Sequence, residues 1–597
     1  MTAVLELLER SAPAVQVNGE PLAADWKNAL ISLRIQRGLC IVSRATLRFA
    51  DPGYALAGKT VFGLGTKVDV GLSDGTSLFS GVVTGAALEQ SASSHPELAV
   101  SVDDLGYKLA LGTRIETYQQ MSYSDVVQQI AAKHGMTADV DASRMQSTNE
   151  YLLQSGTDLA FVDELARRAG CVWWVDDRTL KVRAAGTSAA DVNVALGQSL
   201  TDFSLRASGL RPTEVVVRGW DVTAQQDVVA QSDSNKAPLQ IADSDFVTDY
   251  LGDRPGNALV SAQQQAGDSN PNNTDEADTL AFALYSDWYA GAVVARGSGA
   301  VNVAIKPMVT VVVADAGPAS GRYLVSEVEH AYRHDGFFTR FVAGPIRPTG
   351  LVDTLGRHRP DPGFAINGLL TARVSNSRDP ENQGRVKVSY AGVGGTVESA
   401  WARVVALGGG TSRGTVFTPE PGDEVLVGFE RGDSRHPVVI GGLYSSKNTI
   451  PADDELLDGS SKVAYRRITS RLGHVIELAD GTGATSQHVL LKIAGGEQSV
   501  RVGADRVDVK AAAGKPIAVQ SGDAKFEIDA SGNITISGNQ ISIKAQTELT
   551  MQGVTVGVKG SGPTSVEGAT VDVKGQATAS VSGAGQLSLK GGVVMIN

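Results

Sequence analysis

The chain is short of cysteine, of long apolar runs and of positive charge. Its two cysteines, Cys40 and Cys171, lie in the strand-like contexts GLCIV and GCVWWV. That argues against a disulfide framework and for two buried thiols. No apolar run approaches the roughly 20 residues needed to span a bilayer. The opening MTAVLELLERSAPAVQVNGE has no basic stretch before a long apolar one, so no secretory signal is read and synthesis in the cytoplasm is expected. A net charge of −12 argues against a general nucleic-acid binder and against a surface held to acidic lipids. The 597 residues suffice for three or four domains with sizeable cores.

Glycine, by contrast, is plentiful, with 67 residues. From about Phe526 it punctuates a repeat of apolar residue, any residue, apolar residue, turn. The apolar pairs are Phe526/Ile528, Ile534/Ile536, Ile541/Ile543, Leu549/Met551 and Val556/Val558. They resume at Val571/Val573, Ala579/Val581, Leu587/Leu589 and Val594/Ile596. Alternation puts both members of a pair on one strand face, and a fixed period marks a repeat architecture. Strands this short cannot close a single-chain solenoid, so the apolar face is left open to water. Three copies, each forming one side of a triangular prism, would bury it and pair every edge. The expectation is an intertwined trimeric β-helix with Ile534, Ile536, Ile541, Ile543, Leu549, Met551, Val571, Val573, Leu587 and Leu589 in the trimer core. A Gly-rich β-meander and a disordered low-complexity tail are the alternatives.

Upstream, Met1 to about Gly350 reads as mixed α and β, with strands at Leu30–Arg34, Ala45–Phe49, Lys67–Val70 and Leu98–Val102. Two helices are expected over Ser124–Gly135, with a serine cap, and Thr157–Gly170. A hairpin of CVWWV and TLKVR should turn at Asp176-Asp177. The acidic, Asn-rich stretch around Asp268–Asp278 reads as a loop before a helix from about Ala277 to Ala290. GRHRPDPG (Gly356–Gly363) and Ser445–Ser461 read as linkers. Between Ile366 and Tyr444, five short strands suggest a small OB-like barrel. Further strands are expected at Ala464–Thr469 and His474–Leu478.

Candidate chemistry is thin. His330 and His334 stand four apart, but Ala331 occupies the place where a zincin carries its glutamate, and the context is a strand. Ala513-Gly514-Lys515-Pro516 lacks the first Gly and the Ser/Thr of a P-loop. Arg385, Lys387 and Arg403 have no stacking aromatics on their strands, so solvated or inter-domain contacts are preferred to oligonucleotide binding. Trp173 and Trp174 point to opposite faces, one toward the core and the other toward a subunit contact. No carboxylate pair sits in a catalytic context, so no enzyme is expected.

Several motifs carry a resemblance. Arg378-Asp379-Pro380, Gly384–Val388, Trp401–Val404, Pro421–Glu430, Gly432-Asp433 and Pro437–Gly441 resemble, in order and spacing, the OB domain of VgrG and phage hub-spike proteins. Tyr151–Gln154, Phe161–Gly170, Val328–Tyr332 and Phe338–Phe341 look like that family's hub. Arg431-Gly432-Asp433 then reads as a hairpin turn, not an adhesion tripeptide. The resemblance implies a mainly β protein with an α+β N-terminal half. Residues 1–355 would be a hub of two tube-like barrel modules, 366–446 an OB-fold domain and 463–597 a triple-stranded β-helix needle.

It also implies a function: the homotrimeric central spike of a contractile injection machine, closest to VgrG-like proteins of extracellular phage-tail-like particles. A type VI secretion VgrG, a contractile phage-tail hub-spike and, more remotely, a trimeric tailspike are the alternatives. Implied partners are a PAAR-like tip protein, inner tube protein, baseplate proteins and effector cargo, with only transient contact to a target membrane. The linker 445–461 is too short for the lysozyme domain some phage spikes carry. The end lacks the closely spaced histidines by which some spikes bind iron, so no cofactor is implied. Tip docking is expected at Val593, Val594, Met595, Ile596 and Asn597.

Overall fold

The computed structural model describes residues 13–91, 94–209, 211–222, 224–233, 241–252, 263–266, 271–347, 366, 368–392, 397–451, 456–481 and 486–596. The chain divides into two compact units, Met1–Thr449 and Ile450–Asn597.

The first unit is built on a 14-stranded sheet with two cores. In the first half, Leu30–Gly38, Arg44–Ala50, Ser94–Asp103, Ser77–Ser91, Lys67–Leu72 and Pro13–Val17 pair in that spatial order. Strict alternation sends Leu33 and Ile35 inward and Arg34 and Gln36 outward. The inward side chains surround Trp26, whose ring meets Phe49 edge-on at 5.0 Å. In the second half, Asp191–Ala195 runs parallel to Thr310–Ala314. Next in order come Gly321–Arg333, Gly336–Ala343, Val293–Ala300 and Leu200–Ala207, around Val311, Tyr323, Val325 and Phe341. Strand Gly321–Arg333 joins the halves by pairing with Leu30–Gly38, from Glu327↔Gly38 to Tyr332↔Leu33.

Two α/β insertions interrupt this sheet. In the first, helices Tyr123–Lys133 and Asp158–Arg168 pack on the hairpin Cys171–Asp176/Thr179–Ala184. The cap of the first helix is Ser122, not Ser124. The Ser122 hydroxyl accepts from Asp125 N at 3.1 Å and the Asp125 carboxylate accepts from Ser122 N at 3.1 Å. This reciprocal box outcompetes a lone hydroxyl two residues on, and Ser124 is buried in the first turn. Thr157 caps the second helix as expected. The hairpin turns one residue later than expected, since Asp176 pairs with Thr179 and left-handed Asp177 (φ 52°) makes the bend. In the second insertion, helix Thr274–Ala292 covers strands Glu214–Asp221 and Gln226–Asp233. It starts three residues before the expected Ala277, because Asn273 caps it by accepting from Glu276 N at 2.8 Å.

Both tryptophans are core residues of this chain, which corrects the expected subunit contact. Trp173 donates from Nε1 to Asp163 at 2.8 Å, and Trp174 packs on the other face with Leu39, Ile241, Met308 and Leu324. Cys40 and Cys171 are free thiols, each pushed up to about 12 by burial.

The barrel has the order Lys387–Tyr390, Leu370–Asn376, Glu424–Phe429, Pro437–Gly442, Arg403–Val404. Bridges Val386↔Ala402 and Ser389↔Glu398 bring the last segment back to the first strand. Its core of Ala372, Val374, Val388, Val425, Val427 and Val439 also takes Tyr151 and Leu153 from the hub strand Thr148–Gly156. Hub and barrel thus share one core. The linker expected over 356–363 lies outside the described residues.

Candidate assembly site

The unit Ile450–Asn597 begins as an antiparallel meander: Tyr465–Thr469, Val475–Asp480, Gln487–Lys492, Ser499–Gly503 and Val507–Lys510. Its register lines up two apolar rows on one face. One runs Ile468, Ile476, Leu491, Val500, Val509; the other runs Leu478, Val489, Val502, Val507. All nine are exposed, from 39% at Val500 to 64% at Val507. The opposite face is polar and internally paired, with Arg467–Glu477 at 2.5 Å, His488–Glu477 at 3.1 Å and Arg501–Asp505 at 3.1 Å. A second sheet, Ile517–Ser521, Ala524–Ile528 and Ile534–Ser537, continues the pattern with rows Ile517–Ile528–Ile534 and Val519–Phe526–Ile536.

The one-sided apolar surface therefore begins some sixty residues before the point at which the sequence repeat becomes regular. Its signal was present in VIELAD, HVLLKI, SVRVG and VDVK, but unequal turns hid the period. Among the described residues after Ser537, the chain forms no further ladder with itself. Ile541, Ile543, Leu549, Met551, Val571, Val573, Leu587 and Leu589 stand 50–77% exposed, as do Ile534 and Ile536. Val593, Val594, Met595 and Ile596 are exposed as well. Asn597 lies outside the described residues. Two sheets each bare on an apolar side, followed by this many uncovered apolar residues, exceed what a soluble monomer leaves exposed.

In the first unit, a buried ionic joint ties barrel to hub. Arg435, in the turn before barrel strand Pro437–Gly442, donates to Asp433 at 2.9 Å and to Glu276 in the hub helix at 2.7 Å. Glu276 also accepts from Arg168 at 3.3 Å, and Arg168 reaches Glu164 at 2.8 Å. Burial opposes the charge on Arg435, but Glu276 and Asp433 outweigh it and raise its pKa well above the ordinary value. Burial likewise opposes the charges on Glu276 and Asp433, yet Arg435 holds both below the usual carboxylate range. Sequence reading passed over Arg435, which differs in no local pattern from an exposed turn arginine.

The remaining candidates resolve as structural. Arg385 binds Asp379 at 2.7 Å, Lys387 binds Glu398 at 3.1 Å and Arg403 pairs with Glu430, so these charges are compensated inside the barrel. The Arg403 pair is solvated, as expected, while Arg385 and Lys387 are partly buried and paired within the barrel rather than across domains. In the tripeptide 431–433, Asp433 is buried and Arg431 donates to Arg218 O at 3.0 Å, so the motif is a turn. His330 is buried on a strand and bonded to Thr339 at 2.9 Å; burial, helped by Arg37 and Lys306, lowers it to about 4. His334 lies in the turn beyond the strand's last residue, Arg333, and His330 is buried against Thr339, so the pair does not form a helical ligand set. Among the described residues, no group of three or more His, Cys, Asp or Glu could hold a metal ion, and no helix is long and apolar enough to cross a membrane.

A β-rich hub fused through one core to a closed five-stranded barrel precedes, along the chain, a β-segment apolar on one face. Residues 370–444 match the type VI secretion system/phage-baseplate injector OB domain, and residues 9–333 match the Alg8 N-terminal domain. The Alg8 N-terminal domain match spans more than half of the chain, which belongs to that family, and the barrel is similar to the injector OB domain of VgrG and phage-tail proteins. It is 24% identical to the type VI secretion system spike protein VgrG5 of Pseudomonas aeruginosa over 399 residues, 58% of this chain and 48% of that protein. It is 31% identical to the actin cross-linking toxin VgrG1 of Vibrio cholerae over 103 residues, 16% of this chain and 9% of the toxin. A solved E. coli protein, c3393, described as a component of the type VI secretion system similar to T4 tail proteins gp27 and gp5, aligns with 72% of this chain and 99% of its own. The identity there is 16% and the TM-score 0.44. The match thus spans about half the length of VgrG5 and less of the toxin.

Proposed function

We propose that the chain is the structural subunit of the central spike of a contractile injection machine, a homotrimer joining inner tube and baseplate to a needle. The carrying observation is the uncovered apolar rows of the sheets 465–510 and 517–537 together with the exposed apolar pairs that follow them to Ile596, which three copies can bury against one another. The mechanism is mechanical: a fully paired rod transmits the work of contraction onto a small area of the target envelope. Partners on this reading are the inner tube protein, baseplate proteins, effector cargo and a PAAR-like tip protein seated over Val593–Asn597. The proposed boundaries are a hub over 1–355, the barrel over 366–446 and the needle over 463–597. The particle is read as a free, phage-tail-like one, with a cell-anchored type VI machine as the second reading, favoured by the VgrG5 match. No catalytic role is proposed for these residues: the toxin match covers only 103 of its residues.

Sedimentation or native mass measurement of the purified protein tests the reading. It should give three times the 62.2 kDa chain mass. A soluble, folded monomer would overturn it.

A further inference from the structure

Hub and barrel, both within the first unit, enclose a cleft of about 240 Å³. Asn149, Glu150 and Trp220 line it from the hub, and Gln383, Trp401 and His436 from the barrel. Trp220, near the end of strand Glu214–Asp221, is 40% exposed, a large aromatic surface left open at this cleft. Trp401 is held by two cations, with Arg385 and Lys387 at 5.9 and 5.6 Å from its ring centre. Neither indole N–H has an acceptor among the described residues. His436 lines the cleft with its Nε2 shut off from water and without a hydrogen-bond partner. Burial lowers its pKa, so the ring is uncharged at neutral pH. Buried polar atoms with no partner are rare in native folds and call for one.

Charge narrows the class of ligand. Three arginines line the cleft and all are engaged: Arg385 by Asp379 at 2.7 Å, Arg403 by Glu430, and Arg435 by Asp433 and Glu276. Glu150 forms no ion pair among the described residues, so the spare charge is negative and an anion is disfavoured. A free cation would meet three guanidiniums. An uncharged ligand rich in hydroxyls meets neither penalty. We propose that this cleft binds a neutral sugar ring, with its apolar C–H face on Trp220. Its rim of hydroxyls donates to Glu150 and accepts from the indole N–H groups. Asn149 and Gln383, whose amide nitrogens already donate within the chain, offer their carbonyl oxygens as further acceptors. The size suits one ring, since pockets for drug-sized ligands run to about 300–1,000 Å³. The site lies within a single chain, so it stands apart from the trimer reading.

The test is a titration of the full-length protein, followed by ligand-observed NMR, with glucose, galactose and N-acetylglucosamine. N-acetylneuraminic acid and choline serve as the charged probes. Expected is saturable binding of at least one neutral sugar and of neither charged probe. Trp220→Ala and Glu150→Gln, both at exposed positions, should each weaken it at least about tenfold. Circular dichroism and sedimenting mass should stay those of the native protein. A neutral-glycan array run alongside distinguishes a sugar borne on a chain from a free one, and binding in either form supports the site. No binding in either assay, tighter binding of a charged probe, or binding that either variant retains in full overturns the proposal and leaves the spike reading untouched.

Discussion

Replacing Arg435 by methionine removes the cation of the hub–barrel joint while keeping its apolar stem. Arg435 is 3% exposed and Asp433 4%. Without the guanidinium, Asp433 loses its charge-assisted partner at 2.9 Å and keeps its bond to the backbone N of residue 435, while Glu276 still has Arg168 at 3.3 Å. Breaking a buried pair from one side costs about 3–5 kcal/mol. Each 1.4 kcal/mol is tenfold in an equilibrium constant, so amide-exchange protection in Leu370–Asn376 and Glu424–Phe429 should fall by roughly two to three orders of magnitude. The loss should exceed that of a surface arginine such as Arg413, which lies in an exposed strand.

The pH dependence gives a second readout. In the native protein, Asp433 and Glu276 are held below their unfolded values. Their contribution is therefore present above the ordinary carboxylate pKa and lost as pH falls through the folded values. Without Arg435, burial dominates at Asp433 and pushes its folded pKa above the unfolded one. The variant's deficit should then be smaller at pH 5 than at pH 7.5. Protection within tenfold of the native protein, or a deficit that grows on acidification, would refute the reasoning.

Other consequences are more direct. Leu491→Asp, in the apolar rows of the meander, and Ile536→Asp should each place three like charges in a dry seam and abolish the trimer in sedimentation, at a cost of several kcal/mol per unpaired charge. His330, lowered to about 4, binds its proton more readily when unfolded, so it supports the fold fully above about pH 6.5 and progressively less as pH falls toward 4. His330→Gln should flatten that limb of an acid titration followed by circular dichroism, and an unchanged limb would assign it to other groups. Deleting 593–597 should leave the trimer mass intact and abolish recovery of a candidate tip protein in a pull-down; equal recovery would place the tip contact elsewhere.

Local grammar was legible in the sequence wherever it is decided locally. The barrel strands, the Thr157-capped helix and the alternation at Leu33/Ile35 and Leu47/Phe49 depend on neighbours two to four residues away, and they stand where composition placed them. The Ser122 box and the early start at Asn273 show the limit, since nearby polar residues compete for one cap and only geometry chooses between them. What the sequence could not yield is long-range pairing. Arg435 meets Glu276 across 159 residues, and Tyr151 and Leu153 reach the barrel core across more than two hundred. Nothing in their local sequence marks them. The apolar rows at Ile468–Val509 were legible only in part: strands at Ala464–Thr469 and His474–Leu478 were expected, but not the rows that run on to Val509. Each strand alternates cleanly, but turns of unequal length break the fixed period that made the later repeat visible. A one-sided strand pattern therefore carries the assembly signal whether or not its spacing is regular, and the register between strands, not the repeat length, decides how far the uncovered face extends.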